Sequence, residues 1–291
     1  MMTLFKKVTL ATAFAVFAGC AVENQQNEAD TILVSSPSGS AVVSLVGGRV
    51  MSWKDSKGTD LFFMPCKQWS SDGDWSHGGT SICWPWFGRK GTEQRLIHGF
   101  ARNKRFELRR RDSIPGGESV TFGLKVDGNS GDVFPYDADV ELTISITGSL
   151  GIKLKTTNSG NRPINLTEGL QSYFKVSDYS KITFFGIDSN EFAAVNGMDK
   201  AFAITEKEFG FRNSVDGSEF RMKASGNSGV VVWSPGNVEP ANRNLAADDC
   251  PKFIVVGPSV RTAEGAIVLQ PGQSHELDFE IRASSIPRSA Q

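Results

Sequence analysis

From Thr31 onward, apolar and polar residues alternate in short runs and do not recur with a helical period. The run "AVVSLVGGRVMSWK" (41–54) alternates about Gly47-Gly48, which predicts two strands joined by a tight turn. The runs "VTFGLKV" (120–126), "KITFFGI" (181–187), "SGVVVWSP" (228–235), "KFIVVGP" (252–258) and "HELDFEI" (275–281) have the same period-two character. So does the longer "DVELTISITGSLGIKLKTTN" (139–158), and Gly, Asn, Ser or Pro separates the runs. No window of 12 residues or more keeps a helical period, and there is no internal repeat. Regularly spaced strands without helices predict an all-β sandwich or barrel. A chain of 291 residues is routinely accommodated as one such unit.

The first thirty residues do not belong to that pattern. Lys6 and Lys7 precede a short apolar stretch, Val8 to Ala18, as in an export signal. The stretch ends in "FAGC", where small residues directly before Cys20 resemble the lipobox of bacterial lipoproteins. That resemblance implies a lipidated Cys20 as the mature N-terminus. The other reading is an ordinary secretory signal cleaved nearby. The polar segment "ENQQNEAD" (23–30) has nothing with which to build a core and reads as a tether. The organisation expected is therefore a signal over 1–20, a tether over 21–30, one domain over 31–284 and a frayed tail over 285–291.

Composition narrows the function. Lys and Arg number 31 against 32 Asp and Glu, so no charge excess suggests nucleic acid. With three His, no C-x-x-C pair and no carboxylates clustered at ligand spacing, neither a metal nor a cofactor is expected. After Cys20 there remain Cys66, Cys83 and Cys250. In an exported protein Cys66 and Cys83 are able to pair, which would stabilise by about 3 kcal/mol on the chain-entropy estimate. Buried free thiols are the alternative.

The densest chemistry lies in "GGTSICWPWFGRKGTEQRLIHGFAR", Gly78 to Arg102. It sets two Trp and a Phe among glycines, then Arg89, Arg95, His98 and Arg102. Aromatic faces beside fixed hydrogen-bond donors suit a ligand with a polar rim and apolar faces. Together with "IHGFARNKRFEL", "VFPYDADVELTISI", "TEGLQSYFKVSD", "VVVWSP", "AADD" and "LQPGQSHELDFEI", this run resembles the hexose-6-phosphate mutarotases (glucose-6-phosphate 1-epimerases) of the galactose-mutarotase superfamily. The pieces occur in family order over roughly residues 32–282. The resemblance implies a galactose-mutarotase-like antiparallel β-supersandwich with a sugar cleft on a concave face. It also implies ring opening by an imidazole and a carboxylate on opposite sides of the sugar.

The same resemblance exposes four departures. The family's catalytic His position, in an "HTYF"-like strand, is Gln171 in "QSYF". Its carboxylate position, in "FIVVGPSV", is Gly257. The Arg before its Gly-Gly pair, which resembles a phosphate ligand, is His77, and the expected "Y-x-D" reads Phe192 to Ala194. What is retained reads as binding: Trp86, His98, Arg102 and Glu168, with His77 at the departed Arg position, are the candidate sugar contacts. Trp84 and Phe87 are assigned to packing more readily than Trp86. Asp248 and Asp249 either meet a hydroxyl or form a solvated turn, and His275 is assigned to the surface. The leading expectation is an exported carbohydrate-binding lipoprotein, membrane-attached through its lipid alone and without the standard acid–base pair. One alternative is an active epimerase using His77, His98 or Glu168 instead. The other is an envelope scaffold that binds a protein. Restoring Gln171→His together with Gly257→Glu is expected to restore activity if the scaffold is intact.

Overall fold

The computed structural model describes residues 30–65, 77–90, 97–128, 133–188, 190–236, 245, 247–262 and 265–285. The described residues form nineteen strands: β1 (Thr31–Ser36), β2 (Gly39–Ser44), β3 (Val50–Asp55), β4 (Thr80–Cys83), β5 (Glu107–Ile114), β6 (Gly117–Val126), β7 (Ala138–Ile146), β8 (Leu150–Asn158), β9 (Ile164–Leu166), β10 (Glu168–Lys175), β11 (Ile182–Phe185), β12 (Phe192–Ala193), β13 (Asp199–Phe202), β14 (Phe209–Asn213), β15 (Ser218–Ser225), β16 (Gly229–Trp233), β17 (Phe253–Val260), β18 (Ile267–Leu269) and β19 (Ser274–Ser285). Among the described residues, the only helical pieces are 3-10 turns of three to six residues.

The strands form two large sheets. One has the order β1-β2-β3-β4-β10-β17-β16-β13, the other β12-β11-β14-β15-β19-β8-β7-β6-β5, and β18 pairs with β9 apart from both. The strand pairs within the sheets are antiparallel. The predicted alternation is visible in β7 and β8, where every second residue is buried. Gly47 and Gly48, with φ of 76° and 59°, make the expected turn between β2 and β3, because left-handed backbone favours glycine.

The main core lies between the sheets. Trp53, Phe62, Phe174, Phe211 and Phe220 meet edge-on or tilted, with centroids 4.9–6.5 Å apart. Such pairs add about 0.5–1.5 kcal/mol each beyond area burial. A second, smaller cluster of Phe63, Tyr173, Trp233, Phe253 and Val255 sits on the opposite face of the first sheet. Strands β10 and β17 are consequently packed on both faces, and every residue of β17 is buried. That explains why "FIVV" reads as a continuous apolar run and not an alternating one.

Candidate functional site

The parity of β10 separates two environments. Leu170 and Phe174 point into the main core, so Gly169, Gln171 and Tyr173 project from the outer face of the first sheet. On β4, Ser81 lies opposite Gln171 and Cys83 opposite Gly169. On β17, the pairs Gly169–Ser259 and Ser172–Val256 fix a register that sets Gly257 opposite Gln171. The two departed positions therefore face each other on one surface, with Gln171 half-buried. The ladder between these strands is interrupted at Leu170 and Gln171. There a Cβ added to Gly257 would fall inside the van der Waals shell of the Leu170 carbonyl oxygen.

One wall of this surface is the segment Trp84 to Arg102. The half-buried Phe87 lies over Gly169, where an added Cβ would meet its ring at 2.7 Å. His98 packs against Phe87 at 4.8 Å between centroids. It holds a left-handed φ of 65°, which costs a non-glycine residue about 1–2 kcal/mol. The strain is held by a reciprocal exchange: His98 N donates to Gly88 O at 2.8 Å, and Gly88 N donates to His98 Nδ1 at 3.0 Å. Nδ1 is thus the acceptor, and the neutral ring carries its proton on Nε2. Burial, helped by the Arg102 charge, pulls His98 down to about 4, so near neutral pH it is an uncharged donor and not a base. The charges of Arg102 and Arg49 also act on Cys83, whose thiol burial nevertheless pushes up to about 12.

The other wall is aromatic. His77 stacks on Trp233 with centroids 5.9 Å apart, and its Nδ1 lies 3.1 Å from the Tyr173 hydroxyl. Arg49, 3% exposed, ties down this end by donating to the carbonyls of His77 (2.8 Å) and Gly78 (3.2 Å). Four residues of extended strand separate Gly169 under Phe87 from Tyr173 beside His77, a span of about 13 Å. Gln171 and Gly257 lie midway along that interval. The buried Ser81 Oγ and Ser259 Oγ, on the same face, make no hydrogen bond among the described residues.

Several sequence expectations are corrected here. Glu168 is not part of this surface: it is 0% exposed and points between the sheets, one strand parity away from Gln171. His275 is not a surface residue, because its Nδ1 lies 2.8 Å from Glu168 Oε1 and its side chain is 14% exposed. Trp86, expected to stack on a ligand, is 7% exposed, with Lys90 Nζ 4.7 Å from its ring centroid and Phe100 at its edge. Phe87, assigned to packing, is the more open of the two. Trp84 is fully buried, in agreement with its assignment to packing.

Asp248 is exposed and Asp249 buried in a 3-10 turn, with Lys252 Nζ 4.0 Å from Asp249. Cys83 is a buried free thiol and makes no bridge, and Cys250 is buried. Cys66, the export signal, Cys20 and most of the tether lie outside the described residues. Arg49 had no sequence signal beyond its place after a Gly-Gly turn. Among the described residues no group of three or more His, Cys, Asp or Glu is placed to hold a metal ion. No described helix is long and apolar enough to cross a membrane.

Comparison with known proteins bears on this geometry. Residues 30–196 match the family model described as aldose 1-epimerase. A Cenchrus ciliaris protein named "Putative glucose-6-phosphate 1-epimerase" is 25% identical over 279 residues, covering 86% of this chain and 82% of its own. An Escherichia coli (strain K12) protein of the same name is 24% identical over 267 residues, covering 86% and 89%. A crystal structure titled a "putative mutarotase" from Salmonella typhimurium superimposes with a TM-score of 0.77 at 20% identity, covering 88% of this chain and 90% of that one. At that identity the superposition speaks for the galactose-mutarotase-like fold alone.

Proposed function

Since the chain belongs to the aldose 1-epimerase family, we propose that it is a carbohydrate-binding member that lacks the family's standard acid–base pair and works as an exported lipoprotein. The observation that carries this reading is the floor of the outer surface, where Gln171 faces Gly257. A carboxamide does not exchange a proton near neutral pH, and glycine has no side chain to do so. The surroundings still suit a sugar. Phe87 offers an apolar ring at one end, His98 Nε2 a neutral donor, and Ser81 and Ser259 two hydroxyls that lack a partner among the described residues. His77 stands where the resembling family carries Arg, and an imidazole does not reproduce a bidentate guanidinium–phosphate clamp. An unphosphorylated sugar is therefore the favoured ligand.

Calorimetric titration against a panel of mono- and disaccharides and their 6-phosphates tests this reading. At least one unphosphorylated sugar is expected to bind, and Phe87→Ala is expected to weaken it by roughly 1–3 kcal/mol, the range for a lost aromatic contact. Binding to no member of the panel would sink the reading. Location is tested separately. The wild type is expected to partition with membranes, and Cys20→Ser is expected to be released or left unprocessed. Equal partitioning of the two would remove the lipoprotein assignment and leave the binding site as argued.

A second reading draws on the contact between His77 Nδ1 and the Tyr173 hydroxyl. Tyr173 is two residues from Gln171 on the same face, so this pair is the remaining candidate for proton transfer. His98 and Glu168 are poor alternatives. The acceptor nitrogen of His98 is occupied by Gly88, and Glu168 faces the other side of the sheet.

A further inference from the structure

Three buried polar groups and a half-buried histidine form a directional chain that begins in the site wall and ends near solvent. Trp84 Nε1 donates to Thr156 Oγ1 at 2.9 Å, and the Thr156 hydroxyl donates to Glu168 Oε2 at 3.1 Å. Glu168 Oε1 then lies 2.8 Å from His275 Nδ1. The chain crosses the sandwich, because Glu168 starts β10 in one sheet while Thr156 and His275 sit on β8 and β19 of the other. Trp84, Thr156 and Glu168 are all 0% exposed, so His275 is the member through which a proton enters. Thr167, the residue before Glu168, holds the same wall at a second point, where its Oγ1 accepts from Phe87 N at 3.0 Å. Trp84 in turn roots the wall: its amide donates to His98 O, and its carbonyl accepts from Phe100 N and Ala101 N.

We propose that Glu168 is a positioning residue, not a ligand contact, and that the proton it shares with His275 makes the wall Trp84–Phe87 responsive to pH. With the proton in place, an imidazolium faces a carboxylate, and Thr156 and Trp84 are aligned by the remaining carboxylate oxygen. The Gly226 backbone, close to the ring, also favours its charged form. The other charge acting on the ring is that of its neighbour Glu276, which Lys153 and Lys155 approach at 3.0 and 3.9 Å. Without the proton, a carboxylate stays buried with no cationic partner, an arrangement that a protein interior opposes.

The direction of the pH effect follows from the two groups. Burial raises the Glu168 carboxyl, and the hydrogen bonds from His275 and Thr156 only partly offset it. Burial works to lower His275, but the hydrogen bond and charge of Glu168 raise it overall. Both groups hold a proton more tightly folded than unfolded. The His275 contribution is therefore complete below 6.5 and lost as pH rises through its higher folded value, while that of Glu168 is complete only below 4.5 and lost as pH rises through its own raised value.

The chain has only three histidines, so imidazole NMR resolves the question. In the wild type, His275 is expected to titrate above 6.5, and the Trp84 indole N–H and Phe87 amide signals are expected to move with the same midpoint. Glu168→Gln keeps the shape and an acceptor for Thr156 but removes the charge. In that variant the His275 midpoint is expected to fall by about one unit or more, and the Trp84 transition should vanish. His275→Gln serves if Glu168→Gln does not fold, and it too should leave the Trp84 indole without a transition between pH 5.5 and 9. A Trp84 signal that ignores the His275 midpoint in the wild type, or a transition that survives in the folded variants, overturns the proposal.

Discussion

Glucose 6-phosphate is expected to anomerise in the presence of this protein at close to its rate in buffer alone. A positioned acid and a positioned base each contribute about 10²–10⁴-fold, and groups that act as a unit lose most of the effect when either is missing. Here both positions are vacant of proton-transfer chemistry, at Gln171 and Gly257. The nearby imidazole of His98 is also unable to take a proton, since its acceptor nitrogen receives the Gly88 amide. Exchange NMR between the α and β anomers measures the rate directly. Exchange at ordinary enzyme rates would overturn the assignment. The His77–Tyr173 pair would then be the first place to look, with His77→Phe as the deciding variant.

Gly257→Ala is expected to destabilise the fold by about 3 kcal/mol, at the upper end for overpacking a tight interior. The added methyl would enter the shell of the Leu170 carbonyl oxygen, which is backbone and cannot swing aside. Nor can β17 retreat, because it is held between β10 and β16 and buried along its whole length. With a urea m-value of about 3 kcal/mol/M, the midpoint should drop by about 1 M. Gln171→His, on a half-buried position with no such constraint, should leave the midpoint nearly unchanged. It follows that Gln171→His with Gly257→Glu yields a weakened fold and not a working enzyme. That expected outcome runs against the restoration drawn from the motifs. A Gly257→Ala midpoint equal to wild type would mean that β10 yields, and would reopen the restoration.

The strands were legible where one face meets the core and the other meets solvent. The β2–β3 turn and the β7–β8 pair follow directly from alternation and glycine placement. β17 was legible as a strand, but its second buried face was not, because an apolar run does not say what covers it. The motif alignment located Gln171 and Gly257 on a shared surface, yet could not reveal that the space for a side chain at 257 is filled by a neighbouring carbonyl. Glu168 and His275 are 107 positions apart, and nothing local in either segment reports their contact. Trp86 and Phe87 were ranked the wrong way for exposure. Adjacent aromatic residues in a glycine-rich loop carry no periodicity to say which one turns inward.

The doubly buried strand has a consequence for the chain before it folds. "FIVV" and "VVVW" are uncharged, β-prone stretches, and such segments seed intermolecular pairing while exposed. Both are kept short. Lys252 stands immediately before Phe253, Gly257-Pro258 interrupts the run after four residues, and Arg261 closes it. Gly229 and Ser234-Pro235 bracket the other. Flanking charge and proline limit self-association of an unavoidable apolar strand. The Gly-Pro step that leaves the proposed sugar surface without a carboxylate is thus also expected to limit self-association of the nascent chain.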